Sequence, residues 1–297
     1  MIHIGGPTAS GKTSLAIELA KHYECEVISA DSRQFYREIS IGTAKPKESE
    51  LQDIKHHFID TLSIHDEYSA GHFERDSIAL ITELHQSSDY VIVVGGTGLY
   101  HRAIYEGLDH YPSVDRSIVH RYTEQLKNNG IASLQEELKE KDPTYASKVD
   151  LNNGHRLIRA LSIIESSGAT FSSFQTGGTA KRNFTSIMLA VERDREQLYE
   201  RINMRVEQMM QEGLLEEAKR VFNDRHLNSL NTVGYKELFS YLDGTYSLDT
   251  AIDKIKQHTR NYAKRQITWY RNQDNWSKIT EIEDAIEQID DKIDKNR

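Results

Sequence analysis

The chain has 297 residues, 37% of them hydrophobic and 28% charged, with a formal net charge of −9. No apolar run approaches the ~18 residues of a helical membrane span, and four prolines with 17 glycines leave out collagen-like and Pro-rich disordered classes. A single cysteine, Cys25, allows no internal disulfide, and the first residues lack a signal-peptide pattern, so a cytoplasmic protein without a membrane partner is expected; a monomer is the expected state, although nothing in the sequence fixes it.

In chain order, residues 1–4 form a short apolar strand that runs into Gly5-Gly6, and the spacing of Leu15 and Leu19 predicts a helix over 11–23. A second strand is expected at 26–30, ending at Asp31. Ser69 reads as the N-cap of a helix to Gln86, with Phe73, Leu80, Ile81 and Leu84 on one stripe. The β-branched run 90–94 has the character of a strand covered on both faces and ends in Gly95-Gly96-Thr97-Gly98. Between about 110 and 180 strands vanish. Amphipathic helices are predicted at 116–129, 131–140 and 153–167, followed by a small-residue loop, Ser172–Thr179. A further buried strand is expected at 186–191, then helices at 194–211, 215–223, 235–241 and 248–271. Strands alternating with helices predict an α/β fold with a doubly wound parallel sheet. The expected organisation is residues 1–110 plus 181–297 as the α/β core with C-terminal helices, and 111–180 as a helical insertion.

The residues Gly6, Pro7, Thr8, Ala9, Ser10, Gly11, Lys12 and Thr13 fit the pattern G-x-x-x-x-G-K-[ST] between a strand and a helix. Such a loop curls backbone N–H groups round an anion. The positive end of the helix and the Lys12 charge strengthen the grip, and the Thr13 hydroxyl can hold Mg²⁺. The pattern reports phosphate or diphosphate and does not specify the carrier, ATP being one. Asp31 sits where a strand delivers an acid to the carboxyl edge of the sheet, where α/β ligands bind. It can orient Mg²⁺ or take a proton from an incoming nucleophile. The turn Gly95–Gly98 brings backbone N–H groups and the Thr97 hydroxyl to the same edge. Arg201 and Arg205, four apart on one helix, suit a diphosphate leaving group, or a solvated face paired with Glu196, Glu200 and Glu207. The net charge hides a basic stretch: Lys254–Gln273 carries Lys254, Lys256, Arg260, Lys264, Arg265 and Arg271 without an acid, interleaved with Tyr262, Trp269 and Tyr270. That mixture suits RNA phosphates and unpaired bases, or an amphipathic helix with its aromatics in the core. His155–Arg159 forms a smaller basic face.

Taken together, Gly6–Thr13, Ser29–Ser32, Ile41–Pro46, His57–Asp60, Tyr68–Ala70, Gly95–Tyr100, Arg156–Leu161, Val233–Glu237 and Ala263–Trp269 resemble, in order, the motifs of bacterial tRNA dimethylallyltransferases. The resemblance implies a P-loop NTPase-like core and transfer of a dimethylallyl group from dimethylallyl diphosphate to N6 of the adenine 3′ of the anticodon. The acceptors it implies are tRNAs reading codons that start with U, bound through the anticodon stem-loop. It implies Asp31, Thr13 and Arg205 as catalytic residues, Gly6–Thr13 as the diphosphate loop and Mg²⁺ near Thr13. For the tRNA it implies Asp31, Ser32, Arg33, Gln34 and Thr97, the run His155, Arg156, Leu157, Ile158 and Arg159, and the run Asn231, Thr232, Val233, Gly234, Tyr235 and Lys236. Two departures are visible: Val119 stands where some members carry an arginine, and Asn231-Thr232 where other side chains are common. A small-molecule P-loop kinase and a non-catalytic RNA-binding module are the rival readings; neither needs the whole motif series.

Overall fold

Side chains alternate faces along a strand, and the short apolar runs of this chain therefore feed two cores at once. In the computed structural model, which describes residues 1–175, 177 and 180–295, the expected small-residue loop falls partly outside the described residues at Thr176, Gly178 and Thr179. The elements are β1 (Ile2–Gly5), α1 (Lys12–His22), β2 (Val27–Ser29), α2 (Glu48–Leu51), β3 (His56–His57), α3 (Ala70–Leu84) and β4 (Ile92–Val94). Then come α4 (Gly98–Tyr105), α5 (Arg116–Asn129), α6 (Ile131–Lys141), α7 (Pro143–Ala146), α8 (Gly154–Ser167), β5 (Ile187–Val191) and α9 (Arg195–Gln211). The chain finishes with α10 (Leu214–Arg220), α11 (Tyr235–Leu242), α12 (Leu248–Arg271), β6 (Ser277–Ile279) and α13 (Ile282–Lys295). It divides into two compact units, Met1–Glu106 with Lys181–Arg297, and Gly107–Ala180.

The first unit is built on a six-stranded sheet in the order β3-β2-β4-β1-β5-β6, all neighbours parallel. Ile92 and Val94 pack with Ile2, Ile4, Leu19 and Ile289 on one face, while Val91 and Val93 pack with Phe73, Ile81 and Ile104 on the other. Parallel strands need long crossovers, and the helices supply them. Ser69 caps α3 by accepting the His72 N–H at 3.1 Å, and Asp194 caps α9 by accepting from Glu196 at 2.8 Å. Because the strands run parallel, the segments after β1, β2, β4 and β5 all emerge at one edge. That edge carries the phosphate loop, Asp31, the Gly95–Thr97 turn and Arg193.

Six of these elements were absent from the sequence expectation: α2, β3, α4, α7, β6 and α13. The first five are two to eight residues long, too short for a periodic signal. Helix α13 does carry one, with Ile282, Ile286 and Ile293 packed round buried Ile289, but six acids among its 14 residues obscure it.

The second unit is helical. Tyr122, Leu134, Leu138, Leu157, Leu161 and Phe171 form its centre. The buried Tyr122 hydroxyl donates to Glu137 at 2.8 Å and lies 2.9 Å from Glu165. No helix among the described residues is long and apolar enough to cross a membrane.

Candidate active site

The loop after β1 encloses one end of a cavity of about 500 Å³ lined by Thr8–Thr13, Asp31, Arg201, Arg205, Tyr262 and Gln266, among others. Its conformation is fixed from outside by side chains distant in sequence. Arg193 donates from Nε to the Ser10 carbonyl at 2.7 Å, and Arg201 from Nε to the Ala9 carbonyl at 2.8 Å. Gln266 accepts the Thr8 N–H at 2.9 Å. The two guanidiniums thereby occupy the Ala9 and Ser10 carbonyls. The Ser10 hydroxyl is buried and has no partner among the described residues, which leaves it as a donor for a bound anion. Lys12 Nζ donates to the Pro7 carbonyl at 2.5 Å. Burial, and then the neighbouring Arg205, lower the Lys12 pKa to about 7, with Asp31 acting in the opposite sense. Burial and Arg201 likewise push the Arg205 guanidinium down. A pocket that makes its own cations less basic is short of negative charge. A diphosphate would supply it.

Asp31 follows β2 and accepts the Arg33 N–H at 2.9 Å, closing a local turn. Burial raises its pKa, and the Arg33 N–H and the Lys12 charge oppose the shift. A carboxylate held in this way is more basic than one in water. Asp31 lines two cavities. The second, of about 340 Å³, shares Thr8, Ala9, Asp31, Thr43, Ala44, Arg205 and Tyr262 with the first. It adds Ser32, Arg33, the segment 231–234 and Lys236, with Ile202, Val206 and Met209 as apolar lining. The carboxylate therefore stands where the loop cavity adjoins a second, smaller one.

The predicted segments fall at different places. Asp31–Gln34 and Asn231–Lys236 come together: Arg33 Nη1 donates to the Asn228 and Ser229 carbonyls at 2.9 Å, and Nη2 to the Asn231 carbonyl at 3.4 Å. Thr97 joins them, its hydroxyl accepting the Ser32 N–H at 3.3 Å. Gln34 turns inward and donates to the Thr43 and Ala44 carbonyls. Three expected contact side chains are buried and cannot reach a ligand. Tyr235 lies inside the first unit's core, and Leu157 and Ile158 lie inside the helical unit. These three are the apolar positions of amphipathic helices, and they take the inward face. Around Leu157 and Ile158, His155, Arg156 and Arg159 stay exposed on α8. Val119 is exposed on α5.

The aromatics of α12 divide as well. Tyr270 is buried against Trp276, and its hydroxyl donates to the Gly95 carbonyl at 3.2 Å. Trp269 packs over Gly98, where an added Cβ would meet its ring at 2.4 Å. Neither is available to stack on a base. Tyr262 is, standing exposed in the shared cavity with Arg265 5.6 Å over its ring.

Sequence reasoning missed Gln266 as a loop-holding residue, although it lies within the Ala263–Trp269 motif, and missed the outward clamps of Arg193 and Arg201. Among the described residues no group of three or more His, Cys, Asp or Glu could hold a metal ion. The Thr13 hydroxyl, on the first turn of α1 in the cavity wall, is the donor available. Mg²⁺ at such a loop takes few protein ligands and completes its shell with phosphate oxygens and water, so the site fits that ion when a diphosphate accompanies it.

Residues 34–273 match the IPP transferase family. A tRNA dimethylallyltransferase of Christiangramia forsetii is 50% identical over 271 residues, covering 91% of this chain and 90% of that protein. One from Flavobacterium johnsoniae is 45% identical over 281 residues, covering 93% and 91%. Among solved structures, the full-length tRNA isopentenylpyrophosphate transferase of Bacillus halodurans superposes with a TM-score of 0.71 at 36% identity, covering 98% of this chain and 94% of that one. A eukaryotic dimethylallyltransferase acting on tRNA superposes with a TM-score of 0.81 at 26% identity, covering 100% and 80%.

Proposed function

The chain belongs to the IPP transferase family, and from that premise we propose that it transfers the dimethylallyl group of dimethylallyl diphosphate to N6 of the adenine 3′ of the anticodon. The acceptors are tRNAs that read codons beginning with U, and the products are N6-isopentenyladenosine and diphosphate. The observation that carries the reading is the position of Asp31, which lines both the loop cavity and the smaller one beside it.

The chemistry follows from what each group can do. The adenine amine is a weak nucleophile because its lone pair is delocalised into the ring. The allylic C1 becomes a good electrophile once negative charge leaving with diphosphate is stabilised. Lys12, Arg205, the loop N–H groups and the Ser10 hydroxyl supply that stabilisation. Mg²⁺, held through the Thr13 hydroxyl and the diphosphate, would add charge neutralisation at the leaving group. As the C1–O bond breaks and the N6–C1 bond forms, the N6 proton passes to the Asp31 carboxylate. The base must leave its stack to reach Asp31, at a cost of a few kcal/mol. Phosphate contacts from the exposed bases of α8 and from Lys236 offset that cost, and Tyr262 offers a ring for the extruded purine.

The reading is tested by incubating the protein with labelled dimethylallyl diphosphate, Mg²⁺ and unmodified tRNA. The expected result is label in N6-isopentenyladenosine after nuclease digestion. Unlabelled tRNA, with phosphate transferred from ATP to a small acceptor instead, would overturn it.

A further inference from the structure

The Glu217 carboxylate on α10 is 2% exposed and lies next to Glu216, which is exposed and pairs with Lys219. Four donors converge on Glu217. Oε2 accepts the N–H groups of Ser40 and Ile41, each at 2.9 Å. Oε1 accepts the Gly42 N–H at 2.9 Å and the Tyr235 hydroxyl at 2.6 Å. Four donors fill the usual capacity of a carboxylate, so this buried charge is satisfied without a cation.

The donors come from two separate stretches. Ser40–Gly42 leads directly into Thr43 and Ala44, which line both cavities. Tyr235 opens α11 directly after 231–234, which line only the second. The two stretches also touch each other, since a Cβ on Gly42 would stand 2.6 Å from the Tyr235 ring. Gln34 ties the first stretch back towards Asp31 through the Thr43 and Ala44 carbonyls.

We propose that Glu217 is a positioning residue that sets the spacing between the wall 43–44, which the two cavities share, and the acceptor-side wall 231–236, through its four hydrogen bonds to Ser40, Ile41, Gly42 and Tyr235. The inference rests on the reading of the two cavities as diphosphate and tRNA sites. Removing one tie should act on one wall. Removing the carboxylate should act on both.

The experiment uses the intact protein and measures two affinities separately, for inorganic pyrophosphate with Mg²⁺ and for unmodified tRNA, beside the kcat and KM of transfer. Tyr235→Phe deletes only the hydroxyl tie to α11. It should weaken tRNA binding about fivefold, the scale of one lost hydrogen bond, and leave pyrophosphate binding within about twofold. Glu217→Gln turns an amide NH₂ against backbone N–H groups and should weaken both ligands about tenfold or more. A purely structural role would lower Tm without splitting the two affinities in this way. Tyr235→Phe with both affinities unchanged, or with both reduced equally, overturns the inference, and it decides alone if Glu217→Gln does not fold. Wild-type protein that binds neither ligand overturns the functional reading itself, whereas wild type that binds both beside unaffected variants overturns only the role of Glu217.

Discussion

Gln266 Oε1 accepts the backbone N–H of Thr8 at 2.9 Å across 258 positions of sequence. The same amide donates through Nε2 to the Gly96 carbonyl at 2.9 Å. One side chain of α12 therefore ties the phosphate loop to the glycine turn after β4. Both ends of the amide are engaged, so its orientation is fixed: rotating it by half a turn would set donor against donor and acceptor against acceptor.

Gly96→Ala tests that tie. A Cβ there would stand 2.2 Å from Gln266 Nε2, so the amide must move. We expect a loss on the order of 1–3 kcal/mol of stability from overpacking, together with weaker binding of inorganic pyrophosphate. Thermal melts and calorimetry measure both, and unchanged pyrophosphate affinity would show that the loop does not depend on Gln266.

Asp31→Ala removes the proton acceptor while leaving the loop and its cations in place. Turnover should fall by more than tenfold, within the ~10²–10⁴-fold range of general-base effects, and tRNA affinity should change by less than about twofold. Steady-state rates beside filter binding separate the two quantities. Equal loss of rate and affinity would assign Asp31 to RNA binding alone.

Arg156→Ala combined with Arg159→Ala removes two exposed cations from α8. If each neutralises one tRNA phosphate, the slope of log affinity against log salt should flatten by roughly one to two units. A titration between low and moderate salt reads this directly, and an unaltered slope would place the RNA elsewhere.

Acid stability should report the His3–His101 pair. Both rings are buried, with their Nδ1 atoms 3.2 Å apart, and His101 Nε2 is 3.2 Å from the Gly95 carbonyl. A neutral His101 that donates from Nε2 must accept at Nδ1, so His3 donates from its own Nδ1. Burial lowers the His101 pKa to about 4 and that of His3 well below the ordinary value. The unfolded chain then binds more protons than the folded one below pH 6.5, and stability falls as the pH drops from about 6.5 towards 4. The His101 share is on the order of 3 kcal/mol. His101→Phe should flatten this limb in urea melts at pH 4.5 and 7; an identical pH dependence would disprove the assignment.

Much of the fold was legible because its signals are local. The run Gly6–Thr13 between a strand and a helix, the cap Ser69, and the bare glycine turn after β4 each declare themselves within a few residues. The series of ordered motifs carried the family. What stayed hidden is relational. Glu216 and Glu217 are the same residue type side by side, and only the packing of α10 sends one inward. Gln266 lies in a basic, polar stretch where nothing marks it as buried. Leu157, Ile158 and Tyr235 sit in motif segments expected to touch RNA, but their apolar bodies take the core side of their helices while their neighbours face solvent. Trp269 and Tyr270 looked equally suited to stacking on bases or filling a core, and only the close approach of Gly98 and the Gly95 carbonyl decides it.

The Gln266 tie also bears on the order of synthesis. The phosphate loop leaves the ribosome ahead of α12, and the amide that holds Thr8 and the Tyr270 hydroxyl that holds Gly95 are made more than 250 residues after the loop. A nascent chain can pair β1 with β4, pack α1 and gain the Arg193 and Arg201 ties before that point, yet the Thr8 end of its anion cradle stays unbraced until α12 emerges. Full bracing is thereby deferred until α12 has been made.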